Sequence, residues 1–374
     1  MKRVIANAFL LIAFETVYLM LSPVSRGEAS AESMFRANLE RTGVYKTQSI
    51  QRLRGVKWKF KTERIIEAWF SSPAVSGDTV YLGSDDSYLY ALNALTGELK
   101  WKFKTGDVVY SSPAIADGIV YVGSHDSYLY AVDAQTGDER WKFKTGNRVY
   151  SSPAVSGGVV YFGSADTHLY AVDTATGKLL WKFKAESWIL SSPALSDGTI
   201  YFGCWDSYLY AVDMATGHEK WRFKTGYRIL SSPAVVEGTV FFGSMDGIFY
   251  AVDTKSGAEQ WRFKTSERIR SSPAIQKKTV YFGGDDGQFH ALDAATGQEK
   301  WRVKTGGPII SSPSIAIGIA YFGSADSHLY AVDIETGKRK WKFNAPFGWM
   351  RSSPAVANGM IYFGSDDGSF YALH

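Results

Sequence analysis

Carboxylates and histidines are the residues that could do acid–base or metal chemistry in this chain, and the carboxylates keep a beat. Asp86, Asp126, Asp166, Asp206, Asp246, Asp286, Asp326 and Asp367 recur at a near-constant interval. Eight carboxylates in a ring could suggest a metal. A turn that needs aspartate in every repeat accounts for them better, because a metal takes a few convergent ligands. Beside them stand Asp85, His125, Asp285 and Asp366. A carboxylate with a histidine could move protons, but these four belong to four different repeats. The six histidines form no HxH or HExxH pair, so no metal centre is expected. No P-loop, GxSxG or GxGxxG motif stands in a usable context. The reading is therefore of a chain without catalytic residues and without metal ligands.

Cys204 is the one cysteine, which rules out an intrachain disulfide and a cysteine zinc site. Serine fills the same place in other repeats, at Ser84, Ser124, Ser164, Ser244, Ser324 and Ser365. Cys204 reads as a small thiol in a small pocket. His290 replaces a repeated tyrosine and reads as a core or lateral-groove variant.

The elements that must position these residues are strands. The triplet SSP occurs eight times, with its proline at Pro73, Pro113, Pro153, Pro193, Pro233, Pro273, Pro313 and Pro354. The spacing is 40 residues, and 41 for the last. That period fits a propeller blade or a helical array. Local pattern decides between them. SSPAV, VYFGS, YLYAVD and WKFKT are short, β-branched and aromatic, and turn residues separate them. Outside the N-terminus no useful helical stripe exists.

The expected fold is all-β: one eight-bladed propeller of four-stranded blades over residues 57–374. The last repeat lacks its WKFK strand, and an extra one, VKWKFKT, begins at Val56. Placing the first beside the last completes blade eight and closes the wheel. The innermost strand is read as SSPA. The second strand ends at Gly83 and its equivalents, where backbones pass closely or φ is positive. Lysines of WKFK line the outer edge, which discourages pairing with another molecule. A basic rim gripping an acidic polymer is the sharper alternative.

Residues 1–31 read as an export signal. Lys2 and Arg3 precede an apolar run from Val4 to Leu21, and Ala29-Ser30-Ala31 offers a cleavage site. Left uncleaved, the run would anchor the protein in a membrane. The expected location is periplasmic, cell-surface or secreted. Residues 32–56 form an N-terminal segment. The formal net charge of +4 over 374 residues is mild, and no nucleic acid is expected as a partner. A monomer is expected.

Residues shared by all repeats build blades, so those that break the pattern are candidates for binding. Five residues before the proline stand Ala68, Val108, Arg148, Trp188, Arg228, Arg268, Pro308 and Trp349. Two residues on, pointing the same way, come Phe70, Tyr110, Tyr150, Leu190, Leu230, Arg270, Ile310 and Arg351. The residue between is always apolar, which reads as packing and includes Trp69. Trp205 lies in the loop between second and third strands, on the same face. The candidate site is thus a channel mouth formed by Tyr110, Arg148, Tyr150, Trp188, Trp205, Arg228, Arg268, Arg270, Trp349 and Arg351. Arginine with tryptophan or tyrosine dominates binding hot spots. A protein partner or an anionic small molecule fits that lining.

AVDAQTGDERW and its copies resemble the tryptophan-docking motif of the quinoprotein-type propellers, A-x-D-x-x-T-G-x-x-x-W. Seven copies end in Trp101, Trp141, Trp181, Trp221, Trp261, Trp301 and Trp341, with Asn93 and Ser256 as departures. The segment Met34–Tyr45 is similar to one that often precedes such propellers. The resemblance covers residues 57–374. It implies that each tryptophan packs between its own motif's alanine and the next blade. The family includes dehydrogenases that hold pyrroloquinoline quinone and calcium, and a non-enzymatic assembly factor of the outer-membrane β-barrel machine. The adjacent cysteine pair of many dehydrogenases is absent, and no matching calcium ligands are seen. The assembly-factor type matches better in blade number and length, although its lipoprotein cysteine is missing. The implied function is an exported, non-catalytic scaffold with no cofactor. A quinone-dependent oxidoreductase is the alternative, and glycan binding on the tryptophan-rich face a weaker one.

Overall fold

The computed structural model describes residues 33–63, 71–345 and 348–374. They form 32 strands, β1 to β32 in chain order, in eight four-stranded sheets. No described helix is long and apolar enough to cross a membrane. The expected export signal and its anchor alternative lie outside the described residues.

Each sheet is one blade. In blade 1, β2 (Ala74–Ser76) is innermost, followed outward by β3 (Thr79–Gly83), β4 (Tyr88–Asn93) and β5 (Leu99–Lys104). All three pairings are antiparallel. Blade 8 holds β30 (Ala355–Ala357), β31 (Met360–Ser365) and β32 (Ser369–Leu373), and its outer strand is β1 (Val56–Lys61). Trp58 lies opposite Ala372 and Phe60 opposite Phe370. The first strand of the wheel therefore completes its last blade, as the sequence predicts.

The serines close the wheel a second time. Each innermost strand begins after the proline, so SSP lies on the approach to the strand, not within it as the SSPA reading has it. The second serine's N–H donates to the hydroxyl of its equivalent one blade on, from Ser72 to Ser112 at 2.9 Å and so around the wheel. Ser353 donates to the Ser72 hydroxyl at 3.1 Å and completes the circle. A hydroxyl can donate as well as accept, and serine is small enough for the crowded axis.

Packing explains the remaining repeated letters. The Trp101 indole N–H donates to the Ala134 carbonyl of the next blade at 3.1 Å. Its own motif's alanine, Ala91, lies opposite it in the sheet. Trp341 has no such turn ahead of it and donates instead to Ile50 of the N-terminal segment at 2.9 Å. Gly83 is needed for close approach alone: a Cβ there would overlap Val109 of the next entry loop. Gly97 has both reasons, a φ of +76° and the Trp58 indole against it.

The repeated aspartates are structural. Asp126 accepts from Tyr130 O–H at 2.7 Å, from Gly106 N–H at 2.7 Å and from Tyr128 N–H at 3.0 Å. It ties a turn, a strand and the preceding blade together. In blade 6 the tyrosine is His290, which is buried, with Nδ1 2.8 Å from Glu299.

Candidate partner-binding mouth

In blades 2 to 8 two loops of each blade meet at one end of the wheel. One enters the blade from the preceding outer strand, and the other joins its second and third strands. Backbone bonds hold them together: Ala165 N–H to Arg148 C=O at 2.9 Å, Trp205 to Trp188 at 3.0 Å, Asp285 to Arg268 at 2.9 Å. The middle entry residues, from Val109 to Met350, are buried. Their neighbours on either side are more exposed, so the alternation expected of an extended segment holds. Ala68, Trp69 and Phe70 lie outside the described residues.

The mouth residues fall into two arcs. In the arc of blades 2 to 5, Trp188 stacks on Trp205 with ring centroids 4.9 Å apart. The Arg228 guanidinium covers Trp205 at 4.4 Å and Tyr227 at 5.3 Å. Trp188 is 40% exposed and Tyr227 43%. Next to this stack, His125 sits between Tyr110 at 4.6 Å and Tyr150 at 4.1 Å. Arg148 is exposed and close to Tyr150, whose hydroxyl holds the guanidinium's pKa above its ordinary value. Among the described residues neither Arg148 nor Arg228 has an ion pair within 4.0 Å. Trp205 Nε1 and His125 Nε2 are buried and have no hydrogen-bond partner there.

In the arc of blades 6 to 8, Arg270 and Arg351 have carboxylates. Arg270 binds Asp285 through two bonds, Nε to Oδ1 at 3.0 Å and Nη2 to Oδ2 at 2.9 Å. Arg351 lies over Trp349 at 4.5 Å, with its Nε 3.6 Å from Asp366. Trp349 is 43% exposed. Arg268, at the border between the arcs, is exposed and has no ion pair among the described residues.

Burial, reinforced by Arg148, pushes the His125 imidazole down to about 4. It is neutral at physiological pH. The set Asp85, His125, Asp285 and Asp366 is not assembled into one proton-transfer group. Asp285 and Asp366 serve arginines, and His125 lies among tyrosines of blades 2 and 3. Among the described residues no group of three His, Cys, Asp or Glu could hold a metal. Cys204 is fully buried, and its thiol donates to the Ser187 and Trp188 carbonyls at 3.3 and 3.4 Å. Ser164 makes the equivalent bonds in blade 3. Burial raises the thiol's pKa far above the ordinary range, so it is inert as a nucleophile.

Sequence reasoning passes over two charged residues. Arg36 and Arg41 of the N-terminal segment are 2% and 0% exposed. Their segment caps the inner strands from the axis. Leu195, Val235, Ile275 and Ile315 donate N–H bonds of 2.8–2.9 Å to Leu39, Glu40, Thr42 and Gly43. Arg41 Nε donates to Pro193 C=O at 2.8 Å, and its Nη2 reaches Ser152 and Pro153. Arg36 donates to the Pro273 and Pro313 carbonyls. The only available signal is a pair of arginines in a stretch without strand pattern, and buried arginine is too rare to expect.

Two family models match the chain. Residues 47–237, just over half of it, match the one described as beta-alanine-activating enzyme, beta-propeller. Residues 245–373 match the one described as outer membrane protein assembly factor BamB. No curated protein matches in sequence. Among solved structures, BamB from Moraxella catarrhalis superposes with a TM-score of 0.72 at 18% identity, covering 86% of this chain and 99% of that one. A europium-containing methanol dehydrogenase gives 0.76 at 17% identity, covering 92% and 89%. The computationally designed Ika8 protein gives 0.74 at 20%, covering 84% and 98%. At such identities these structures speak to fold alone. With the wheel closed in eight blades and over half its length matched by one such model, the chain belongs to the eight-bladed PQQ-like β-propellers, in the family of the beta-alanine-activating-enzyme propeller.

Proposed function

We propose that this protein is an exported, non-catalytic scaffold whose mouth takes an extended segment of a protein partner during envelope or outer-membrane protein assembly. The observation that carries the reading is the stack of Trp188, Trp205 and Arg228. It places an exposed indole beside a guanidinium with no carboxylate of its own. Exposed aromatic surface next to an unneutralised arginine is the composition of an interface hot spot. Likeness to the assembly-factor model over residues 245–373 supports the envelope setting. An anionic small molecule would meet the same groups.

The test is capture by the mature protein from its own membrane fraction, read by mass spectrometry. Trp188→Ala with Arg228→Ala abolishes recovery of the specific partner while the fold survives. Unchanged recovery in that variant removes the mouth from the account.

The quinone-dependent alternative draws on the fold likeness to a methanol dehydrogenase. Among the described residues no three His, Cys, Asp or Glu side chains gather around a common point, and Arg270 and Arg351 already face carboxylates. A quinone tricarboxylate would find Arg148, Arg228 and Arg268 only. Titration with pyrroloquinoline quinone and calcium, followed by a dye-linked alcohol assay, decides between the readings.

A further inference from the structure

The end of the axial channel away from the mouth is built to receive guanidinium groups. Proline stands before every innermost strand, and in blades 3, 4, 6 and 7 its carbonyl accepts from an arginine of the N-terminal segment. Arg41 gathers the carbonyls of Ser152, Pro153 and Pro193, and Arg36 those of Pro273 and Pro313. These come from four blades, 3, 4, 6 and 7; blade 5 between them meets the segment through Val235, whose N–H bonds the Glu40 carbonyl at 2.9 Å. Neither arginine meets a carboxylate among the described residues. Recognition is by neutral oxygens placed around a planar fork, a geometry that suits guanidinium and not ammonium. Burial lowers the pKa of Arg36 to about 10 and of Arg41 to about 9, so both are cationic at neutral pH.

The segment that carries them is not part of any blade. It touches the inner edges by single backbone bonds at Leu195, Val235 and Ile275, and by pairs of them at Ile115 and Ile315. Its two bridges, Ser33 to Ile115 and Val44 to Ile315, are isolated. The pattern is that of a bound, turn-rich peptide: positive φ at Arg36, Ala37 and Arg41 folds the segment back on itself, main-chain bonds hold it to the inner strands, and two side chains lie in specific seats.

We propose that the axial channel is an arginine-peptide binding site, occupied in cis by residues 33–45, and that a segment with two arginines five positions apart, able to turn between them, can replace this occupant in trans. The site is independent of the mouth. A partner entering here would be selected by guanidinium, the opposite charge to that favoured by the arginines of the mouth.

The experiment uses the full chain with a site-specific protease sequence inserted after exposed Lys46. After cleavage, a fluorescent synthetic peptide of residues 33–45 is added, and its uptake is followed by anisotropy. The nicked protein takes up the peptide and unlabelled peptide competes. The same peptide with Lys for both arginines binds at least about tenfold more weakly, since the ammonium lacks the fork. The uncut Arg36→Ala/Arg41→Ala chain, checked for fold by circular dichroism, binds the labelled arginine peptide while uncut wild type does not. No uptake by the nicked protein, or equal uptake of arginine and lysine peptides, overturns the proposal.

Discussion

Arg228 and Arg351 lie on opposite arcs of the mouth, at entry positions two residues apart in the repeat, and each covers an indole, at 4.4 and 4.5 Å. Only Arg351 also faces a carboxylate, Asp366 at 3.6 Å. That single difference separates two roles. A guanidinium already facing a carboxylate must give up part of that interaction before it can bind a second anion. One held on a ring alone keeps its N–H groups for a ligand. The same rule divides Arg148 from Arg270. Under the proposed function the arc of blades 2 to 5 is the binding half, whereas Arg270 and Arg351 of blades 6 and 8 are neutralised by their own carboxylates.

The strongest way to break this comparison is to remove the stack. Trp205→Ala with Arg228→Ala lowers affinity for the captured partner by about 30-fold or more, the loss expected of a hot spot. Trp188→Ala alone costs about tenfold, because one face of its ring is already used against Trp205. Both are read by titration of the partner once it is identified. Raising the salt sharpens the contrast further. Capture by wild type weakens with ionic strength, whereas capture by an Arg148→Gln/Arg228→Gln variant becomes nearly insensitive to it. A smaller effect is expected on the other arc: Arg270→Ala or Arg351→Ala changes affinity by less than about threefold. Their cost falls on thermal stability, since Asp285 or Asp366 is left partly buried without its cation.

His125 gives the smallest and most specific signal. Its folded pKa of about 4 lies below the ordinary histidine value near 6.5. The unfolded chain thus binds this proton more tightly. Its contribution to stability is full above about pH 6.5 and is lost as pH falls toward 4. Wild type loses melting temperature relative to His125→Phe as pH falls from about 7.5 to about 4.5. A constant difference across that range would mean that the imidazole titrates alike in the folded and unfolded chains.

Period and register made the wheel legible. SSP at intervals of 40 sets the blades, and the unmatched VKWKFKT strand sets the closure. The alternation of Arg148, Val149 and Tyr150 placed the mouth residues, because strand geometry alone fixes which side chains share a face. Partnership was not legible. Nothing in the letters shows that Asp285 and Asp366 neutralise Arg270 and Arg351, since those pairs depend on how two loops of one blade lean together. The serine circle and the arginine seats were hidden for the same reason. Both are formed between blades, by groups that no local periodicity relates.

The central claim is that partners meet the mouth on blades 2 to 5. Site-specific photo-crosslinking tests it most directly, with the reactive residue placed in turn at positions 188, 228 and 317 in the native cell. Ile317 is a suitable control because it is exposed on a turn at the opposite end of its blade. Positions 188 and 228 yield the same specific adduct and position 317 yields none. An adduct at 317 with none at 188 and 228 would contradict the account.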